Sequence, residues 1–111
     1  MHIKDHNRLE SILDAILKIE SYTEQFQDAD QLNDNNIAFD ATMMNFVIIG
    51  EIVAKLSDGF KDKYTEIEWH KIKGLRNIAA HDYFGIDAEE VWQIIQGNLP
   101  ELKKFIKKHI E

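Results

Sequence analysis

The stretch of this 111-residue chain that could do chemistry is Leu75-Arg76-Asn77-Ile78-Ala79-Ala80-His81-Asp82-Tyr83. Arg76, Asn77, His81, Asp82 and Tyr83 interrupt what would otherwise be an ordinary bundle helix. At about 100° per residue, Asn77 and His81 fall one turn apart and within about 40° of each other, while Arg76 and Tyr83 fall two turns apart and nearly eclipse. Two polar stripes then run side by side. The adjacent Ala79 and Ala80 leave an open groove beneath them, into which a substrate backbone or a second subunit could come close. These residue types suit phosphate. Arginine offers a fixed fork of donors, histidine titrates near neutrality, and Asn and Tyr orient by hydrogen bonding. Metal-free cleavage of RNA needs a base for the ribose 2′-hydroxyl, an acid for the leaving 5′-oxygen and positive charge on the phosphorus centre. One chain supplies one such histidine, and two chains packed with these helices facing would supply the second.

The same residues fit a plainer role. An Arg and a His near a helix end commonly form a salt bridge and a cap, here with Glu66, Asp82 or Asp87 as partner. Glu51 stands on an otherwise apolar helix face, and a pair with Arg76 would either orient the guanidinium or merely satisfy a buried charge. His70 reads as a surface or interface residue, with a second catalytic base as the lesser alternative. His2 and His6 are four apart, but no carboxylate or His elsewhere completes a metal site, so neither a metal nor a cofactor is expected. Trp69 and Trp92 read as core or interface anchors, and Met43 and Met44 as core filling.

The elements that must position these residues are helical. Apolar residues recur at three- and four-residue spacing, and 5 Gly with 1 Pro leave few breaks. The pattern predicts a first helix over about 5–27, a polar loop over 28–36 as the least ordered stretch, and a central second helix over about 37–56 ended by Ser57-Asp58-Gly59 with Gly59 at positive φ. A connection over 60–65 leads to a third helix over about 66–83, closed at Phe84-Gly85. Asp87 caps a fourth, with Glu90 completing a capping box, and Asn98-Leu99-Pro100 predicts a kink or restart. Lys103, Lys104, Lys107, Lys108 and His109 then oppose the helix dipole. The expected fold is all-α, an antiparallel four-helix bundle forming one domain over 1–111.

Composition narrows the function classes. Zero Cys excludes a disulfide framework, a thiolate zinc site and a cysteine nucleophile. No apolar run is expected to approach the roughly 20 residues of a membrane span, and the acidic MHIKDHNRLE start does not read as a signal peptide, so a cytoplasmic location is expected. A net charge of -7 argues against non-specific binding to phosphate backbones, leaving Arg76, Lys71, Lys73 and the Lys-rich tail to hold a nucleic acid.

Arg76-Asn77-x-x-x-His81-x-Tyr83, preceded by Trp69 and followed by Ile86-Asp87, Val91-Trp92 and Leu99-Pro100-x-Leu102, resembles the HEPN superfamily and within it the HepT-like toxin branch. Phe46-Val47-Ile48-Ile49-Gly50-Glu51 matches that branch ahead of the motif helix. The resemblance implies a homodimeric bundle acting as a metal-independent endoribonuclease toxin, inhibited by a minimal nucleotidyltransferase antitoxin. It implies Arg76 and His81 as the catalytic pair, Asn77 as their polar companion, and Tyr83 as a supporting residue and the site of adenylylation by the partner. The chain departs from many relatives in having Ile78-Ala79-Ala80 where they carry a bulkier or basic filler. The alternatives are a non-catalytic HEPN module that docks a nucleotidyltransferase and binds nucleotide, and a helical dimer whose polar stripe only fixes register.

Overall fold

Leu9, Ile12, Ile16 and Ile19 stripe the first helix, α1 (Ile3–Thr23), and all four are fully buried. Burying each contributes roughly 1.5–3 kcal/mol against chain entropy. The computed structural model describes residues 1–81 and 87–110, the side chains of Ala80 and His81 excepted.

The segment expected to be a loop folds instead into a short helix, α2 (Ala29–Asp34). Its Asp and Asn side chains act as caps rather than as competitors of helix. Asp28 Oδ1 accepts from Gln31 N at 2.9 Å, Gln31 Oε1 accepts from Gln27 N at 2.9 Å, and Asn35 Oδ1 accepts from Ala38 N at 3.0 Å. Ala29 and Leu32 anchor the turn to the core.

Asn35 thereby opens α3 (Asn36–Lys55), the central helix, packed between α1 on one side and the motif-bearing helices on the other. Phe46, Ile49 and Val53 are fully buried in it. By length and composition α3 could cross a membrane, with mean hydropathy 1.6, although Asp40, Asn45 and Glu51 break its apolar run. Here it fills the core with one face and presents the other outward. Met43 is buried as expected, but Met44, one step round the helix, is 61% exposed.

Ser57-Asp58-Gly59 does end α3, and it also begins α4 (Asp58–Lys63), where a connection was expected. No described glycine has positive φ, so Gly59 is not a left-handed stop but a residue of that helix. Ser57 caps α4 by accepting from Phe60 N at 3.2 Å, and its hydroxyl donates to Asp5 Oδ2 at 2.6 Å. Asp5 Oδ1 accepts from Ser57 N at 3.1 Å, and Arg8 Nη1 stands 3.4 Å away. Burial alone would raise the carboxyl pKa of Asp5. The hydrogen bonds from Ser57, then that from Arg8 and its charge, outweigh burial and hold the pKa below the ordinary carboxylate value. Because the folded pKa is depressed, this stabilisation is fully present above the unfolded pKa of about 4 and is lost as pH falls through the folded value. Asp5→Ala is expected to cost about 1–3 kcal/mol at pH 7 by removing the charged acceptor of the Ser57 and Arg8 hydrogen bonds. Urea titrations at pH 7 and pH 3 should show the gap from wild type narrowing in acid.

The predicted third helix is divided at Gly74 into α5 (Trp69–Lys73) and α6 (Leu75–His81). The break falls at the residue of poorest helix propensity after proline. Trp69 is core, as expected, and its Nε1 donates to the Tyr64 carbonyl at 2.8 Å. Asp82, Tyr83 and the expected closure at Phe84-Gly85 lie outside the described residues. Asp87 caps α7 (Ala88–Gln93), but Oδ1 accepts from Glu89 N at 2.9 Å rather than from Glu90. The expected break near Pro100 takes the form of a π-helical turn, Ile94–Asn98, leading into α8 (Leu99–Ile110). Pro100 has no N–H to continue the regular ladder, and the Leu99 N–H reaches back to the Ile94 carbonyl.

The described residues form no strand, so the fold is all-α. α8 packs on α1, where Lys103 Nζ reaches Glu20 at 2.8 Å, and α2 packs on α7. The outcome that matters for function is the α3 to α6 seam, because α6 carries the motif.

Candidate functional site

Leu75 and Ala79 are buried and Ile78 is partly buried, so these positions fasten α6 to the core. Ala79 therefore does not floor an open groove, as its spacing suggested. It is one of the small residues that let α6 sit down on its neighbours. The next positions round the helix point away from that contact. Arg76 is a third exposed, and Asn77 is exposed. His81 is the last residue of α6, one helical turn beyond Asn77 along the backbone. Tyr83 lies outside the described residues.

Arg76 is fixed from α3 at two points. A Cβ placed on Gly50 would lie 2.8 Å from Arg76 N and 2.9 Å from Arg76 Cβ, and 3.0 Å from the Lys73 carbonyl oxygen. Only glycine permits so close an approach. The next residue, Glu51, meets Arg76 Nη1 through Oε1 at 3.3 Å, and the carboxylate is half exposed. The pair left open by the sequence thus forms, and at the surface rather than as a buried charge. In the sequence Gly50 stands only as one residue of the Phe46–Glu51 stretch. The signal that could have marked it is a lone glycine inside an otherwise apolar helix, which indicates a close backbone approach.

The matching protein family is that of ribonuclease HepT-like chains, over residues 12–109. This chain belongs to the HepT-like family. Its relatives include "Putative RNase MJ1380" of Methanocaldococcus jannaschii, 30% identical over 89% of this chain and 90% of that one, and "Probable ribonuclease HepT" of Thermococcus cleftensis, 33% identical over 90% of each. "Gamma-glutamylcyclotransferase and putative RNase MJ0434", also of M. jannaschii, is 33% identical over 93% of this chain, which spans only 46% of that protein's length. No solved structure matches the chain.

Two other clefts of this HepT-like chain fit phosphate less well. A cleft between α1 and α3 is lined by Glu10, Asp14 and Lys18; Lys18 pairs with Asp14 at 3.4 Å, and the remaining Glu10 charge opposes an anionic backbone. A smaller one, of about 250 Å³, lies between α5–α6 and α7 and has Ile72, Leu75, Ile78 and Ile94 as its walls. The cationic, solvent-facing edge of the motif helix is at Arg76. His70 is exposed on α5, as expected of a surface residue. His2 caps α1, its Nδ1 accepting from Lys4 N at 3.1 Å, and His6 stands 3.3 Å from Glu10.

Proposed function

We propose that this HepT-like protein is a metal-independent endoribonuclease toxin, with Arg76 and His81 as its catalytic pair, held in check by a nucleotidyltransferase antitoxin that adenylylates Tyr83. The observation that carries the reading is Arg76, a partly exposed guanidinium on the same short helix as His81, in a chain of a ribonuclease family. His81 takes the proton from a ribose 2′-hydroxyl, the 2′-oxygen attacks phosphorus, and the bond to the 5′-oxygen breaks. That leaves a 2′,3′-cyclic phosphate and a 5′-hydroxyl. Arg76 neutralises charge accumulating on the phosphoryl oxygens, and Asn77 orients the strand.

A second proton-transfer group is needed for the leaving oxygen, and His81 of a second copy supplies it. The exposed face of α3 supports that arrangement. Ile37, Met44 and Ile48 are exposed there, and at about 100° per residue they share the face that carries Glu51, beside Arg76. A second copy seated on this stripe covers apolar surface and lies next to Arg76. Adenylate on Tyr83, two residues beyond His81 in the sequence, would add bulk and negative charge that oppose an RNA strand. The protein acts in the cytoplasm, where its substrate is.

The test is cleavage of a mixed cellular RNA pool in excess EDTA by protein of confirmed dimeric state, comparing wild type with His81→Ala. Cleavage by wild type and none by the variant is expected. An inert wild type whose Tyr83 is unmodified by mass spectrometry would overturn the reading in favour of a non-catalytic module that docks the nucleotidyltransferase.

A further inference from the structure

Arginine is a long side chain with several rotatable bonds, and a group that must meet a phosphate as charge develops on it gains from being held beforehand. In this molecule the two ends of Arg76 are met by consecutive residues of α3. Gly50 admits the Arg76 backbone and Cβ to within about 3 Å of where its own side chain would stand. Glu51, one step round the helix, reaches the far end of the same side chain, Oε1 to Nη1 at 3.3 Å. The carboxylate is half exposed and the guanidinium side chain a third exposed, so solvent screens the pair and it contributes little to stability. A contact that stabilises little, at the end of the one side chain on which the phosphate reading rests, points to another role.

We infer that Glu51 is a positioning residue: it holds the Arg76 guanidinium in the orientation that receives the scissile phosphate, while Gly50 holds the base of the same side chain. The inference rests on the ribonuclease reading above and extends it to α3. The carboxylate takes one of the five N–H donors of a guanidinium and fixes the plane of the group. Its negative charge has a cost, because it stands near the site of an anionic substrate. That cost makes the inference testable by sign. If Glu51 were only a neighbour, removing its charge would favour RNA, lowering KM and leaving kcat unchanged or higher. If it positions Arg76, removing it lowers kcat without raising KM.

Glu51→Ala is therefore expected to reduce kcat on the order of tenfold, since a misplacement of about 1 Å in a reacting group can cost up to about a hundredfold. KM should stay the same or fall. Glu51→Gln keeps an oxygen that accepts from Nη1 and should recover kcat to within about threefold of wild type. A fall in Glu51→Ala that Glu51→Gln does not rescue, or an unchanged kcat, would overturn the inference. A readout independent of activity is available because the chain has only two arginines, Arg8 and Arg76. Arg8 is paired with Asp5 and serves as the internal control. In ¹⁵N-labelled protein the Nε–Hε signal of Arg76 should shift and sharpen in Glu51→Ala as the side chain is released, with that of Arg8 unmoved. An Arg76 signal unchanged by the substitution would overturn the placement even if kcat fell. An inert wild type whose Arg76 signal does respond would overturn the ribonuclease reading and uphold the placement, so the two failures are separable.

Discussion

Arg76→Ala is expected to lower RNA cleavage by roughly a hundred- to a thousandfold, the loss typical of removing one preorganised donor from a developing anion. Stability should barely change. Arg76 is partly exposed and Glu51 half exposed, so loss of the pair amounts to about 1 kcal/mol or less, and alanine keeps the Cβ that packs against Gly50. Circular-dichroism melting should thus place the variant within roughly 4–8 °C of wild type while its kcat/KM collapses. Arg76→Lys sharpens the result. Lysine restores the charge but not the planar fork, so it should recover less than about tenfold of the loss if the guanidinium meets the phosphate with two parallel hydrogen bonds. Full activity in the lysine variant would mean that only a point charge is needed. Full activity in the alanine variant would remove Arg76 from the chemistry altogether.

The residues behind that prediction were legible in the sequence to different degrees. The core helices were readable because a stripe such as Leu9, Ile12, Ile16 and Ile19 is long enough to declare its period, and α1 and α3 fall within a few residues of the expected limits. Short helices were not. α2 has two buried anchors, Ala29 and Leu32, and α4 has only Phe60, too few turns for a period to emerge. Their capping residues have an intrinsic preference for loops that masks the helices, although Asp28, Asn35 and Ser57 supply the acceptors that short helices need. Met44 shows another limit. An apolar residue on a helix that is apolar nearly all round does not say which face is outermost, and only the packing of α1 and α6 on α3 decides it. At the site, the helix placing Arg76, Asn77 and His81 was legible from spacing. The contact that seats it on α3 was not, because a close backbone approach depends on two segments about 25 residues apart and leaves in the sequence only a missing side chain.

That missing side chain gives the other large expected effect. Gly50→Ala places a methyl group 2.8 Å from a backbone nitrogen and 2.9 Å from a Cβ that are themselves fixed in α6. Two terms compete. Alanine improves helix propensity inside α3 by up to about 1 kcal/mol. Overpacking against a neighbour that cannot rotate away typically costs about 1–3 kcal/mol, and both near atoms here belong to backbone or its first carbon. The second term should win, lowering the melting temperature by several degrees. Gly59→Ala provides the opposite sign, because nothing lies within 4 Å of a Cβ at that position and the propensity gain stands alone. Where Gly50→Ala folds, α6 must lift away from α3, carrying Arg76 out of reach of Glu51. Cleavage measured well below the melting transition should then fall further than the loss of folded protein accounts for. Equal or greater stability in Gly50→Ala would show that α3 and α6 do not meet this closely, and the positioning of Arg76 from α3 would fall with that contact.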